Sequence, residues 1–290
     1  MTDIPDLPAA VRERAAALLT GSLDVVPLQD AATVVLLRDG PEGLEVYMQR
    51  RTRTLVFAAG MYVFPGGRVE EQDVDPAVPF TESPPQPVPF AVGGDIVRGL
   101  PGPSDPEQVY RGLVVAAVRE TLEEAGVLLA VGDHGPVAQQ EAHLVRELLL
   151  SGVPLAEALG TVGARLAYRG FVAYAHWMTP AVEVRRFDTR FFAAVLPPGQ
   201  HARSASGESE DSGWVRPAVM LQRMAAGEVV MLPPTIAALQ ALRGERDAAS
   251  VVAAGHRPGL RPVLPHPFRE GAGISWRLVD GYTGRDLETP

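Results

Sequence analysis

Arg119-Glu120-Thr121-Leu122-Glu123-Glu124-Ala125-Gly126-Val127 decides how the rest of this chain is read. Gly126 suits a left-handed helix cap, Ser104 or Asp105 can cap the other end, and Pro106 suits a first turn. The spacing therefore predicts one helix running to about Ala125. At about 100° per residue, Glu120 and Glu124 fall about 40° apart on one side of it. Glu123 lies next to them and Arg119 one turn below, while Val114, Val118, Leu122 and Ala125 populate the opposite, core-facing side. Three carboxylates thus share one stripe with a single cation. Like charges at this spacing cost roughly a few tenths of a kcal/mol per pair. A divalent cation between them relieves that repulsion, and Mg²⁺ needs only one or two protein carboxylates when waters and substrate phosphates complete its shell. The same letters also describe a solvated helix face with a routine Arg119–Glu123 ion pair.

What separates the two readings is Phe64-Pro65-Gly66-Gly67 upstream. A glycine pair after a strand lets the backbone turn tightly and approach a phosphate or metal. Together the two segments resemble the Nudix hydrolase signature, in which a glycine and a short loop precede Arg-Glu-aliphatic-x-Glu-Glu-x-Gly-aliphatic. Gly67 matches the opening glycine, and Arg119, Glu120, Glu123, Glu124, Gly126 and Val127 match the helical half. The resemblance implies that Glu120, Glu123 and Glu124 bind Mg²⁺ or Mn²⁺, that Arg119 supports them, and that Glu123 and Glu124 share the catalytic work with Arg119. Two departures stand out. Asp73 occupies the slot of the family's first glutamate, six residues after Gly67, and Thr121 the slot of an aliphatic residue. The spacer between Gly67 and Arg119 is also much enlarged.

That enlargement narrows the resemblance to the coenzyme A diphosphatase-like branch, which carries a long insertion inside the box. The same branch shows Trp-x-Thr-Pro and Arg-Phe-Asp-Thr-Arg-Phe-Phe, found here as Trp177-Met178-Thr179-Pro180 and Arg186-Phe187-Asp188-Thr189-Arg190-Phe191-Phe192. The matches extend over about residues 31–245. A peroxisomal Ser-Lys-Leu ending is not part of the match, because the sequence closes Leu287-Glu288-Thr289-Pro290.

Composition narrows the chemistry. With 46% apolar and 21% charged residues, the 290-residue chain reads as globular and large enough for a real core. No cysteine is present, which removes thiol nucleophiles, disulfides and cysteine-bound zinc, including the four-cysteine zinc of NADH pyrophosphatases. Lysine is absent too, so all 26 basic residues are arginines, and a lysine-ended phosphate loop or Schiff base is excluded. The net charge of −9 argues against non-specific nucleic-acid binding and suits an acidic site that recruits cations, or a role in solubility. No basic segment precedes an apolar run at the start, and no apolar stretch approaches the roughly 20 residues of a membrane span. A cytoplasmic protein is expected.

Along the chain, a leading helix is expected near Leu7–Leu19, then strands Ala31–Leu37 and Leu44–Gln49 around a turn. Residues 74–106 are dense in proline and glycine and read as a long surface loop. Helical patterns follow at Ala138–Leu149, Leu155–Leu166, Pro217–Ala226 and Pro234–Leu242, with strand patterns at Phe171–Trp177, Thr189–Leu196 and Gly213–Val215. The organisation expected is a helical extension at 1–30, a Nudix domain at 31–245 containing the insertion, and a C-terminal extension at 246–290. The fold class is α/β: an α/β/α sandwich on a mixed sheet, with extra helices.

Further site candidates come with bland alternatives. Glu208 or Glu210 can serve as catalytic base or extra ligand, as loop glutamates of this family do, or belong to a solvated acidic turn. Arg50, Arg51 and Arg53 can grip substrate phosphates beside Gly66 and Gly67, or be surface charge. Arg185, Arg186 and Arg190 invite the same two readings. His176 reads as a hydrogen-bonded structural histidine, and Trp177, Phe191 and Phe192 as core. The expected activity is Mg²⁺-dependent hydrolysis of a phosphoanhydride in a small nucleoside-diphosphate derivative, with coenzyme A or acyl-coenzyme A suggested by the resemblance. ADP-ribose or a dinucleotide is the alternative substrate, and a non-catalytic nucleotide sensor the alternative class. A homodimer is compatible with either.

Overall fold

Two strands that run together and then part organise the molecule. The computed structural model describes residues 9–52, 58–90, 105–204, 209–255, 260–271 and 273–287. Its first elements are helix α1 (Ala9–Leu19) and strands β1 (Leu28–Gly40), β2 (Gly43–Arg51), β3 (Tyr62–Val63) and β4 (Gly66–Arg68). Helix α2 (Pro106–Ala125), the short hairpin β5 (Val131–Gly132) and β6 (Gly135–Pro136), and helices α3 (Gln139–Leu150) and α4 (Leu155–Gly160) follow. Strands β7 (Val172–Met178), β8 (Arg186–Val195) and β9 (Ser209–Val215) lead to helices α5 (Pro217–Ala225), α6 (Pro233–Leu242) and α7 (Ala248–Ala253). The hairpin β10 (Val263–Glu270) and β11 (Gly273–Asp280) ends the described chain.

The main sheet runs β11-β10-β7-β8-β1-β2-β3, with β4 also on β1 and β9 also on β2. It is mixed: β1–β8 and β7–β10 are parallel, the other pairs antiparallel. Side chains of β1 alternate faces, and both faces are apolar. Ala32, Val34 and Leu36 enter one core cluster and Val35 and Leu37 the other. A strand apolar on both sides needs cover on both. Helices α2, α3 and α4 supply it on the first face, through residues such as Leu113, Val118, Val145 and Leu159. Helices α5, α6 and α7 supply it on the second, through Met220, Leu239 and Val251. The result is the expected α/β/α sandwich.

Near Gly40↔Gly43, β1 and β2 form a tight hairpin, but β1 pairs with β2 only from Leu37 onward. Further down the strands separate, and residues 62–68 fill the fork. Strand β3 lies along β2 (Gln49↔Val63), and β4 lies along β1 (Ala32↔Gly67). Phe64-Pro65 makes the crossing between the two edges, with the Val34 N–H donating to the Pro65 carbonyl at 2.8 Å. This fork brings the glycine pair to the middle of the sheet, under α2.

Three expectations need correction. The described part of the insertion, 75–90, is not simply a surface loop. Val78 and Phe90 are buried, Phe80 stacks on Tyr168 at 4.3 Å, and Phe90 packs edge-on against Phe192 at 5.3 Å. Proline density prevents regular structure there, yet the apolar residues between the prolines still reach the core. Residues 91–104 lie outside the described chain. Helix α4 ends at Gly160 instead of continuing to Leu166, because Gly163 takes a left-handed φ of +61° and Arg165 then pairs with Val131. Strand β9 begins at Ser209, four residues before the expected start. The segment after 246 is also more ordered than its letters suggest, since β10 joins the sheet beside β7 at Val263↔Trp177.

Candidate active site

Helix α2 starts and stops as its sequence dictates. The Asp105 carboxylate accepts the Glu107 N–H at 3.0 Å, Pro106 opens the first turn, and Gly126 closes the helix at φ +68°. Most of its length is buried, and after Glu107 in the first turn its carboxylates, Glu120, Glu123 and Glu124, come only in the last two turns. There the helix dipole disfavours anions by about 0.3–1 kcal/mol each. Such a cost calls for compensation, and the surroundings provide it unevenly.

Arg119 is the main compensating charge. Its side chain is buried, and its Nε and Nη2 donate to the two oxygens of Asp73 at 2.8 and 2.9 Å. Nη2 also donates to the Arg68 carbonyl at 3.0 Å, and Nη1 reaches Glu120 at 2.9 Å and Glu123 at 3.5 Å. Burial alone lowers the guanidinium pKa, but the Asp73 hydrogen bonds and the charges of Glu120, Asp73 and Glu123 outweigh it and raise the pKa. Asp73 in turn accepts the Glu70 N–H at 2.8 Å. One buried fork therefore ties the end of α2 to the loop after the glycine pair.

Glu124 and Glu120 meet that glycine pair directly. Glu124 Oε2 accepts the Gly66 N–H at 3.0 Å and the Gln49 side-chain amide at 2.5 Å. A Cβ on Gly67 would overlap the Glu120 carboxylate, and one on Gly66 would stand 2.7 Å from Thr33 Cα. Space alone requires glycine at 66, against backbone, whereas at 67 a Cβ would drive the Glu120 carboxylate away. Burial pushes the Glu124 pKa up to about 8, helped by the charge of Glu120, while Gly66, Arg51 and Gln49 pull the other way. Burial likewise pushes Glu120 up to about 7 against the pull of Arg119, with Glu123 adding to the rise. Glu123 is less buried and its pKa is raised mainly by desolvation. Arg146 holds the Glu123 carbonyl through Nε and Nη2, at 3.2 and 3.0 Å.

These side chains suit a hard divalent ion: two carboxylates meet one glycine pair, and the charge of Glu120 makes Glu124 harder to ionise. Glu120 and Glu124 form the pair nearest the backbone, and Glu123 sits at its edge, turned toward Arg119. Among the described residues, no three Asp, Glu or His side chains converge as a ready-made ligand group.

The arginines divide. Arg51 acts electrostatically on Glu124 and shares the strand parity of Gln49, which places it toward α2. Arg50 donates to the Gly60 carbonyl at 3.2 Å and lies 4.0 Å from Glu210. Glu210 is the second residue of β9, between Ser209, which pairs with Arg51, and Asp211, which pairs with Arg50. Arg53 and Glu208 lie outside the described residues. His176 is a structural histidine, with Nε2 2.5 Å from Asp188, and Phe191 and Phe192 are core. Arg186 and Arg190 are buried, Arg190 against Asp30 and Asp188. Reasoning from sequence alone did not place Gln49, and it gave Asp73 no role. For Asp73 the signal was its spacing from Gly67; for Gln49 it was only the parity it shares with Tyr47 and Arg51 on β2.

No family model matches the chain. It is similar to the acyl-coenzyme A diphosphatase NUDT19 of Gallus gallus, at 28% identity over 67% of this chain and 60% of that protein. It is also similar to nudix hydrolase 7 of Caenorhabditis elegans, at 24% identity over 77% of this chain and 63% of that protein. The chain thus spans about three fifths of the length of these curated relatives. The crystal structure of a Nudix hydrolase from Alicyclobacillus acidocaldarius superposes with a TM-score of 0.60 and 28% identity, over 79% of this chain and 97% of that one. With the box glycine, the helix glutamates and the sandwich all in place, the chain carries the signature and the fold of the Nudix hydrolases it resembles.

Proposed function

We propose that the chain hydrolyses a phosphoanhydride bond in a small nucleoside-diphosphate-linked molecule. The observation that carries this reading is the meeting of Glu120 and Glu124 over Gly66-Gly67, locked from behind by Arg119 and Asp73. Glu120 and Glu124, with Glu123 at the edge, would hold Mg²⁺ or Mn²⁺, which when bound neutralises the diphosphate and acidifies a water. The glycine pair lets substrate oxygens approach the backbone without a Cβ in the way. Arg51 supplies positive charge beside Glu124, where a diphosphate would sit. Gln49 fixes the orientation of the Glu124 carboxylate. Glu210 is the described carboxylate we assign to removing the proton of the attacking water, since it lies in β9 between the residues that pair with Arg50 and Arg51.

The acyl-coenzyme A diphosphatase among the relatives makes coenzyme A and acyl-coenzyme A the first substrates to try. The deciding assay follows phosphate release, through an added phosphatase, from coenzyme A, acyl-coenzyme A, ADP-ribose, NADH and nucleoside triphosphates. Each is run with Mg²⁺, with Mn²⁺ and with EDTA. Metal-dependent cleavage of one class supports the reading and names its substrate. Silence across the panel by folded protein that still binds one of the nucleotides would turn the assignment to a sensor.

A further inference from the structure

Beside the carboxylates, at the C-terminal end of α2, a cavity of about 520 Å³ opens between Ala125-Gly126, the first turns of α3 and residues 201–203. Its polar lining is Gln139, Gln140, His143, Arg146, His201 and Arg203. Among the described residues no aspartate or glutamate lines it, although the chain carries 35 acidic residues against 26 basic ones. Two guanidinium groups, two imidazoles and two amides around one depression form a cationic, donor-rich hollow on an acidic protein. Glu147 lies 3.2 Å from His143, and both side chains are largely exposed.

Arg203 and His201 are held through their backbone N–H groups. The Arg203 N–H donates to the Ala125 carbonyl at 3.0 Å, and the His201 N–H to the Gln139 side chain at 2.7 Å. Arg203 makes no ion pair with a described acid, and its side chain is exposed. Arg146 spans cavity and site together, because it lines the hollow while holding the carbonyl of Glu123. In sequence only residues 204–208 separate Arg203, anchored on α2, from Ser209, paired with Arg51. A molecule with its diphosphate at Glu120 and Glu124 therefore has a second, positively lined recess within reach of its other end.

We infer that this recess binds a phosphoryl group of the substrate away from the bond that is cut, making Arg203, His201 and His143 determinants of specificity. As a substrate subsite the inference rests on the hydrolase reading; as a phosphoryl-binding hollow it does not. The first arm uses inorganic phosphate and no turnover. Imidazole proton resonances of His143 and His201 are followed during titration of the full chain and of Arg203→Ala. Saturable shifts in the wild type, lost or weakened about tenfold in the variant, are expected for a charge-assisted contact of ordinary strength. Shifts that never saturate, or that are identical in Arg203→Ala, overturn the site. The second arm compares two nucleoside-diphosphate substrates differing only in one phosphomonoester remote from the diphosphate. The wild type should favour the phosphorylated member in KM, and Arg203→Ala should erase most of that advantage. Equal KM values for the pair, with phosphate still bound, would overturn the substrate role and leave a free-phosphate site. Phosphate binding without turnover on any substrate would support the hollow while refuting the hydrolase reading. Arg203→Gln, which keeps the stem without the charge, guards against a purely steric effect.

Discussion

Arg119 and Asp73 form a two-pronged ion pair across 46 residues of sequence, Nε to Oδ1 at 2.8 Å and Nη2 to Oδ2 at 2.9 Å, with both side chains buried. Burying two charges is expensive, so the pair is better understood as a device for position than as a source of net stability. It fixes the end of α2 against the loop that carries the glycine pair. It also uses up most of the guanidinium, leaving one nitrogen for Glu120 and Glu123.

Removing one partner should therefore cost more than the pair ever contributed. Asp73→Ala strands a buried guanidinium, and a loss of about 3–5 kcal/mol in urea unfolding is expected. Asp73→Glu restores the carboxylate that the family signature carries at this position, and should recover part of that loss. A decrease below about 1 kcal/mol for Asp73→Ala, in the range of an exposed pair, would mean that the fork is not a structural lock.

The box helix was legible because its information is local. Asp105, Pro106 and Gly126 mark its ends, and the glutamate spacing needs only 3.6 residues per turn. Strands β1 and β2 were legible for the same reason. What escaped depends on contacts between distant segments. Gln49 matters only because the register of β2 places it against Glu124, 75 residues away. Val78 and Phe90 are core residues hidden among prolines. The last hairpin was missed because Pro265 and Pro267 lower the strand signal of β10. They occupy alternate positions, so both missing donors face one edge, and β10 meets β7 only at Val263.

Glu124→Gln keeps the shape of the side chain and removes its charge. Turnover on the substrate found by the panel should fall by about 10²-fold or more, as befits a charge that acts at the reacting phosphates. Stability should hold or rise, since the buried carboxylate is the group whose desolvation pushes its own pKa to about 8. Wild-type turnover in a folded Glu124→Gln protein would falsify its catalytic placement.

Gly67→Ala tests the glycine pair by space alone. The added methyl overlaps the Glu120 carboxylate, so Glu120 must rotate away. Expected is a loss of about tenfold or more in activation by Mg²⁺, read as the half-saturating metal concentration. Gly160→Ala is the control, because nothing lies within 4 Å of its Cβ. That change should be neutral or stabilise by about 0.4–1 kcal/mol. Equal metal responses in the two variants would remove the steric argument.

Metal should stabilise the fold through the same two carboxylates. With Mg²⁺ at about 100 times its dissociation constant, linkage adds about 2.7 kcal/mol to unfolding. The rise in melting temperature should be seen in the wild type and be absent from Glu120→Gln/Glu124→Gln. NaCl of matched ionic strength should not reproduce it. If the double variant is stabilised as much as the wild type, the ion is bound elsewhere.

Away from the site, His176 provides a test of acid stability. Its ring is buried between Phe90 and Tyr282, with Nε2 2.5 Å from Asp188 and Arg190 close by. Burial lowers its pKa first, the Arg190 charge lowers it further, and Asp188 opposes both without winning. The imidazole is therefore neutral in the fold and donates Nε2–H to Asp188. A folded pKa below the unfolded value of about 6.5 means that the unfolded chain binds the proton more tightly. The contribution of His176 is present in full above that pH and is lost as pH falls through it toward the lower folded pKa. Unfolding free energy should decline between pH 7 and pH 5 in the wild type. In His176→Gln, which has no proton to gain, the slope over that window should be shallower even if the variant is less stable at pH 7. Parallel slopes for the two proteins would place the acid sensitivity on other groups and restore His176 to a purely packing role.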